Sequence, residues 1–236
     1  MANRHKQKGK RDNTTIVFIT LLVLFLGVGV YSLVNMFNSG GKSDAVQPDK
    51  VIDLKVEKQA KIGKADAPVK IVEIGDFRCP HCKLFHDQHY AQLKPYIDSG
   101  KVQFTFAPFQ FMKPEPLVAG MAAKSVMAQN KEAFWKFYDA VYNNQVEYNK
   151  LPEGKAADFL VDLIKKNIPE VSAEQVAKDI KSDKYKADVE ADNKYVESLG
   201  ITGVPVVYIN GKMATDAEIN NVQAFKTRLD KELGGK

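Results

Sequence analysis

Cys79-Pro80-His81-Cys82 holds the only two cysteines of this 236-residue chain. Three chemistries use two thiols at this spacing: dithiol redox cycling, a structural disulfide and metal ligation. A structural disulfide rarely closes so small a loop at the start of a helix. For a metal site, Cys79, Cys82, His86 and His89 have a finger-like order. Zinc-binding Cys-x-x-Cys pairs, however, normally sit on a turn, with the histidine pair on a separate element. Taken singly, His86 and His89 read as partly buried helix residues. Dithiol redox chemistry is the favoured reading of the motif.

The flanking elements decide how reactive the thiols are. Val69-Lys70-Ile71-Val72-Glu73-Ile74-Gly75 is an apolar run that reads as a buried strand entering a turn. A helix is expected directly after it. Pro80 suits a first helical position, Leu84, Phe85, His89, Leu93 and Tyr96 recur at helical spacing, and Pro95 is expected to bend the helix near its end. Cys79 then lies at the helix N-terminus, where unpaired N–H groups and the positive end of the dipole favour a thiolate. A protonated His81 would favour it further. Cys82, one turn in, is expected to be more buried and to act as the resolving thiol.

Beyond this helix, Lys101 to Ala107 alternates, with Val102, Phe104 and Phe106 on one face, and reads as a second strand ended by Pro108. Strand signals then vanish. Helices are predicted over Leu117 to Ala128, over Lys131 to Tyr142 behind an Asn130 cap, and through Ala156, Phe159, Leu160, Leu163 and Ile164. A fourth starts at the capping box Ser172-Ala173-Glu174-Gln175, and a fifth runs from about Lys184 to Leu199 and stops at Gly200. Val204 to Ile209 resumes the sheet, Asn210-Gly211 marks a hairpin, and Asp216 is expected to cap a last helix. Strand, helix, strand, helical block, hairpin and helix make a mixed α/β sheet with an all-helical insertion at about 114–200.

The chain's other end bears on compartment. Arg4, Lys6, Lys8, Lys10 and Arg11 precede an uncharged, mostly apolar stretch from Thr14 to about Phe37, long enough to span a bilayer. It runs into Asn35-Met36-Phe37-Asn38 without a small-residue cleavage pattern, which favours one uncleaved N-terminal transmembrane helix over a removed signal. The positive-inside rule then expects residues 1–13 in the cytoplasm and everything after about Asn38 outside, where disulfides persist. Residues 38–50 read as a flexible linker and 51–236 as the folded domain. The basic leader carries most of the formal net charge of +5. The remainder is nearly neutral, its lysines interspersed with Asp and Glu, which gives a nucleic-acid surface no support. No EF-hand-like spacing is present, and neither a metal nor a cofactor belongs to this reading.

Taken together, these segments resemble a known family, the DsbA-like thiol:disulfide oxidoreductases of the thioredoxin superfamily, in the membrane-anchored form found in Gram-positive bacteria. The resemblance covers roughly residues 51–236. Its carriers are Glu73-Ile74-Gly75-Asp76-Phe77-Arg78-Cys79-Pro80-His81-Cys82-Lys83, the helical insertion, and Gly200-Ile201-Thr202-Gly203-Val204-Pro205 leading to Asn210-Gly211-Lys212. It implies a thioredoxin-like sheet and a cis Pro205 whose loop faces Cys79, with the Val204 backbone binding substrate as an added strand. It also implies that Glu73 is the buried acid beneath Cys82, exchanging its proton; the less favoured alternative is a surface carboxylate on an edge strand. Asp76, whose charge opposes a thiolate, is expected to point away or be solvated. Pro80-His81 resembles the oxidising members. The expected partners are exported polypeptides with free thiols, with the disulfide regenerated by a quinone-linked membrane reoxidase or by small extracellular oxidants. The rival readings are an isomerase or reductase using the same cysteines, and a non-redox surface chaperone with an apolar patch of Phe109, Phe111, Met112 and Trp135.

Overall fold

Apolar residues on both faces bury the strand that leads to the cysteines. Val69, Ile71, Val72 and Ile74 lie in the core, and a strand covered on both sides reads as such a run. The computed structural model describes residues 51–234 together with Leu22. The expected leader, the rest of the 14–37 segment and the 38–50 linker lie outside the described residues. Among the described residues, no helix is long and apolar enough to cross a membrane.

The described strands are β1 (Ala60–Ile62), β2 (Val69–Gly75), β3 (Val102–Pro108), β4 (Val206–Ile209) and β5 (Lys212–Met213), in the sheet order β1-β3-β2-β4-β5. β2 pairs parallel with β3 and antiparallel with β4, and β1 lies antiparallel on β3. Glu73 faces Phe106 on one side and Val207 on the other. It therefore stands on the central strand and not on an edge. The short strand β1 carries too few residues for an alternation signal and escaped the sequence reading. Asn210 (φ 50°) and Gly211 (φ 77°) form the β4–β5 turn in the left-handed conformation that Asn-Gly adopts readily.

The parallel β2–β3 pair needs a crossover, supplied by α1 (Pro80–Phe85) and α2 (Ala91–Asp98). Between them His86–Tyr90 form a wide, π-type turn, one turn before Pro95, the expected site of a bend. Pro95 has no N–H to donate to the turn before it, and a widened turn is one of the few ways a helix bends. The buried stripe is Cys82, Phe85, His86, His89, Tyr90, Leu93 and Ile97. Leu84, expected on that stripe, is 49% exposed.

The helical block comprises α3 (Pro116–Gln129), α4 (Ala133–Asn143), α5 (Gln145–Asn149), α6 (Ala156–Asn167), α7 (Ala173–Lys181) and α8 (Lys186–Ser198). Ser172 caps α7 by accepting from the Gln175 N–H at 3.1 Å. α4 packs the block onto the sheet through aromatic rings. Tyr138 lies 5.0 Å from Phe106 and 4.9 Å from Tyr142, and Phe77 lies 5.1 Å from Phe106, in tilted and edge-on arrangements that rings prefer. Trp135 and Phe109 are buried in this core and under the sheet, leaving Phe111 as the exposed member of the expected apolar patch. The chain ends in α9 (Asp216–Ile219) and α10 (Val222–Gly234). Thr215, and not Asp216, caps α9, in a capping box with Glu218.

Candidate active site

Cys79 occupies the N-cap of α1 and Pro80 its first turn, which leaves the N–H groups of the turn pointing back at the Cys79 sulfur. The Cys79 thiol is lowered from 9.0 to about 6. The Cys82 thiol, hydrogen-bonded to the Cys79 sulfur, is the first cause; burial opposes it, and the backbone N–H groups of Cys82 and His81 reinforce it. His81 thus contributes through its backbone, while its side chain is exposed. Cys82 is fully buried, and desolvation, then the bond to Cys79, push its thiol well above 9.0. The two thiols are free, chemically unequal, and ordered as the helix geometry demands.

One consequence is directly measurable. Alkylation of the reduced protein should follow a thiolate titrating near pH 6, with the Cys82 thiol silent until far higher pH. A single rise near the ordinary cysteine value of about 8.5 would contradict the arrangement.

Beneath the pair, Glu73 is wholly buried and its Oε2 accepts a 2.6 Å hydrogen bond from the Tyr138 hydroxyl. Desolvation raises its carboxyl from 4.5 to about 8, partly offset by Tyr138, with the charge on Cys79 adding to the rise. Its other oxygen makes no hydrogen bond among the described residues. A Cβ at Gly75 would lie 3.1 Å from that oxygen, 3.4 Å from Cys82 Sγ and 2.8 Å from the Phe106 ring. Glycine at this position is what lets the carboxyl and the Cys82 sulfur face the same small space.

Across the site, the Val204–Pro205 peptide is cis, and the Val204 carbonyl lies 3.4 Å from Cys79 Sγ. The loop implied by the resemblance therefore does face Cys79. Cys79, Cys82, Glu73, Val204 and Pro205 come together from β2, α1 and the loop before β4, with His81 and Pro80 at the rim.

Asp76 departs from expectation. It is buried, and its carboxylate accepts from the N–H groups of Arg78 (2.8 Å), Phe111 (2.9 Å) and Met112 (2.9 Å). Burial raises its pKa, and these bonds hold it back. Three donors compensate the lost hydration, so the side chain ties the turn before Cys79 to the loop after β3, at the cost of a charge that raises Cys79. The finger-like histidines are engaged elsewhere. His86 lies between Asp87 (2.9 Å) and Asp139 (3.0 Å), and His89 bonds the Ile219 carbonyl at 2.7 Å. Among the described residues no cluster has the composition of a metal site.

Several supports went unseen in the sequence. Gln145, fully buried at the start of α5, donates to the carbonyls of both Phe77 and Cys79 at 2.9 Å. Asn149 Nδ2 donates to the Arg78 carbonyl at 2.9 Å, and the Arg78 guanidinium stacks 4.0 Å above the Tyr148 ring. No local pattern marks these residues, which lie some seventy positions from the turn they hold.

Comparison with known proteins fits this geometry. A family model described as thioredoxin matches residues 55–231. The chain is 34% identical to the probable disulfide bond formation protein D of Bacillus cereus, over 92% of this chain and 94% of that one. The chain belongs to the DsbA-like oxidoreductases of the thioredoxin superfamily. Among solved structures, this DsbA-like fold superposes on oxidised BdbD of Bacillus subtilis with a TM-score of 0.68 and 26% identity, over 78% of this chain and 98% of that one. Disulfide bond formation protein D of Bacillus subtilis is 28% identical over 77% of this chain and 80% of that one. The mixed sheet with its helical block is thus a thioredoxin-superfamily architecture, and protein thiol:disulfide exchange is the activity of this DsbA-like chain.

Proposed function

We propose that this protein is an extracytoplasmic dithiol oxidase that donates its Cys79–Cys82 disulfide to exported polypeptides. The single observation carrying the direction is the lowered Cys79 thiol above a buried, raised Cys82 thiol. A thiolate that is stabilised in the reduced fold makes the reduced state the more stable partner, so the disulfide is a strong oxidant and Cys79 a good leaving group. The sign follows from linkage. The folded value of about 6 lies below the unfolded value of 9.0, so the stabilisation is complete above about 9.0 and is lost as pH falls through about 6.

In the reaction, a substrate thiolate attacks Cys79 Sγ. The Cys79–Cys82 bond breaks, its electron pair leaves on Cys82, and a mixed disulfide forms between Cys79 and the substrate. Glu73, protonated at neutral pH because its carboxyl is raised to about 8, is placed to protonate the departing Cys82 sulfur. A second substrate thiolate then attacks the substrate's own sulfur. Cys79 is expelled as a stable thiolate, the substrate keeps the new disulfide, and the protein is left as the dithiol. The Val204 backbone beside Cys79 offers extended substrates main-chain recognition, which favours breadth over sequence selectivity.

The apolar 14–37 segment supports an anchor with residues 1–13 cytoplasmic and the catalytic domain outside the cell membrane. A quinone-linked membrane protein is the partner this reading assigns to reoxidation. The assay that tests the reading is oxidation of a reduced, unfolded model protein by stoichiometric oxidised protein. One substrate disulfide per protein molecule is expected; no transfer, or faster transfer of electrons in the opposite direction from the dithiol, would contradict it.

A further inference from the structure

A cleft of about 410 Å³ opens beside the Cys79–Cys82 pair. His81, Leu84 and Gln88 from α1 and the turn after it, Val204 and Pro205 from the loop before β4, and Asp216 and Asn220 from α9 and its end line it. Because the neighbouring Val204 carbonyl is 3.4 Å from Cys79 Sγ, a chain whose cysteine reaches that sulfur lays its adjacent residues along this cleft. Asp216 supplies the only carboxylate among its lining residues.

That carboxylate is unspent. Among the described residues it takes part in no hydrogen bond or ion pair. The start of α9 does not use it, because Thr215 Oγ1 accepts from the Glu218 N–H and Glu218 accepts from the Thr215 N–H at 2.8 Å. Charged groups on the flanking helices have partners of their own: Lys83 with Asp87 at 2.7 Å, and Glu218 with Arg228 at 3.4 Å. A negative charge in a concave site beside a reacting sulfur, with no cation of its own, is complementary to a cationic side chain.

We propose that Asp216 is a specificity-determining residue that selects polypeptides carrying Lys or Arg within about two residues of the reacting cysteine, the reach of alternate side chains on an extended strand. This rests on the oxidase reading above. Exposed charge pairs are modest in water, so the preference amounts to about three- to five-fold at low salt. It fades as salt screens the pair.

The test uses the full-length chain and reduced single-cysteine peptides that differ only in a neighbouring Lys, Gln or Glu. Rates of mixed-disulfide formation give a Lys:Glu ratio for the unaltered protein and for Asp216→Asn. Lysine's own effect on the peptide thiol is common to both and cancels in the comparison. The expected result is a ratio about three- to five-fold higher in the unaltered protein, retained in Asp216→Glu and lost in 1 M salt. Equal ratios for the unaltered protein and Asp216→Asn, or a ratio indifferent to salt, would overturn the assignment. Equilibrium binding of the same peptides with serine for cysteine requires no exchange. If no peptide reacts, the oxidase reading fails, and this binding ratio still decides whether Asp216 selects cationic chains.

Discussion

Cys79→Ser is expected to reduce oxidation of a model protein to the rate seen without protein, whereas Cys82→Ser is expected to trap covalent adducts. The asymmetry follows from position. Cys79 caps α1 with a thiol lowered to about 6, so alone it still exchanges with disulfides offered to it. Without Cys82 nothing inside the protein releases the adduct. Cys82 alone is fully buried with a raised thiol, and the Cys79→Ser variant should form no adducts. Non-reducing gels after incubation with a disulfide-containing protein read both variants at once. Adducts on Cys79→Ser and none on Cys82→Ser would reverse the assigned order of attack.

Glu73→Gln is expected to make the protein more stable and slower. In the fold the carboxyl holds its proton up to about pH 8, while in the unfolded chain it ionises from about 4.5. Between those values the folded state binds the extra proton, so this group's contribution to stability falls as pH rises from about 4.5 to about 8. Glutamine cannot ionise and escapes that loss. The variant should gain about 2–4 kcal/mol over the unaltered protein at pH 8 and little at pH 4. Closure of the Cys79–Cys82 disulfide needs the Cys82 proton removed, and loss of a positioned acid–base group should slow it about 100-fold at pH 7. Denaturant titrations at the two pH values check the first effect, and stopped-flow reoxidation the second. A stability gain with unchanged reoxidation would make Glu73 a buried charge without a part in proton transfer.

The sequence made legible those parts of the site that are local or carried by family resemblance. The unequal thiols follow from Cys79 at a helix start and Cys82 one turn in, and the cis Pro205 loop and the buried Glu73 follow from matched segments. What escaped was set by tertiary structure. Asp76 looked like a charge to be kept from the thiolate, because the three N–H groups that hold it become neighbours only once the loop after β3 folds over the turn. Tyr138 and Gln145 belong to helices whose pattern announces burial but not the atoms they reach. The widened turn at His86–Tyr90 was hidden because helical spacing of apolar residues tolerates one such turn. β1 was too short for alternation to register, and the apolar patch dissolved once Phe109 and Trp135 were needed for the core.

The most direct test of the account is the reduction potential of the Cys79–Cys82 couple, measured by equilibrating the protein in glutathione buffers and trapping free thiols. A value clearly above about −200 mV at pH 7 is predicted, with a pH dependence that steepens from about 30 to about 59 mV per unit on going below pH 6, where Cys79 takes up its proton. A value near or below about −200 mV, with no break near pH 6, would contradict a disulfide donor and move the protein to the reductases and isomerases.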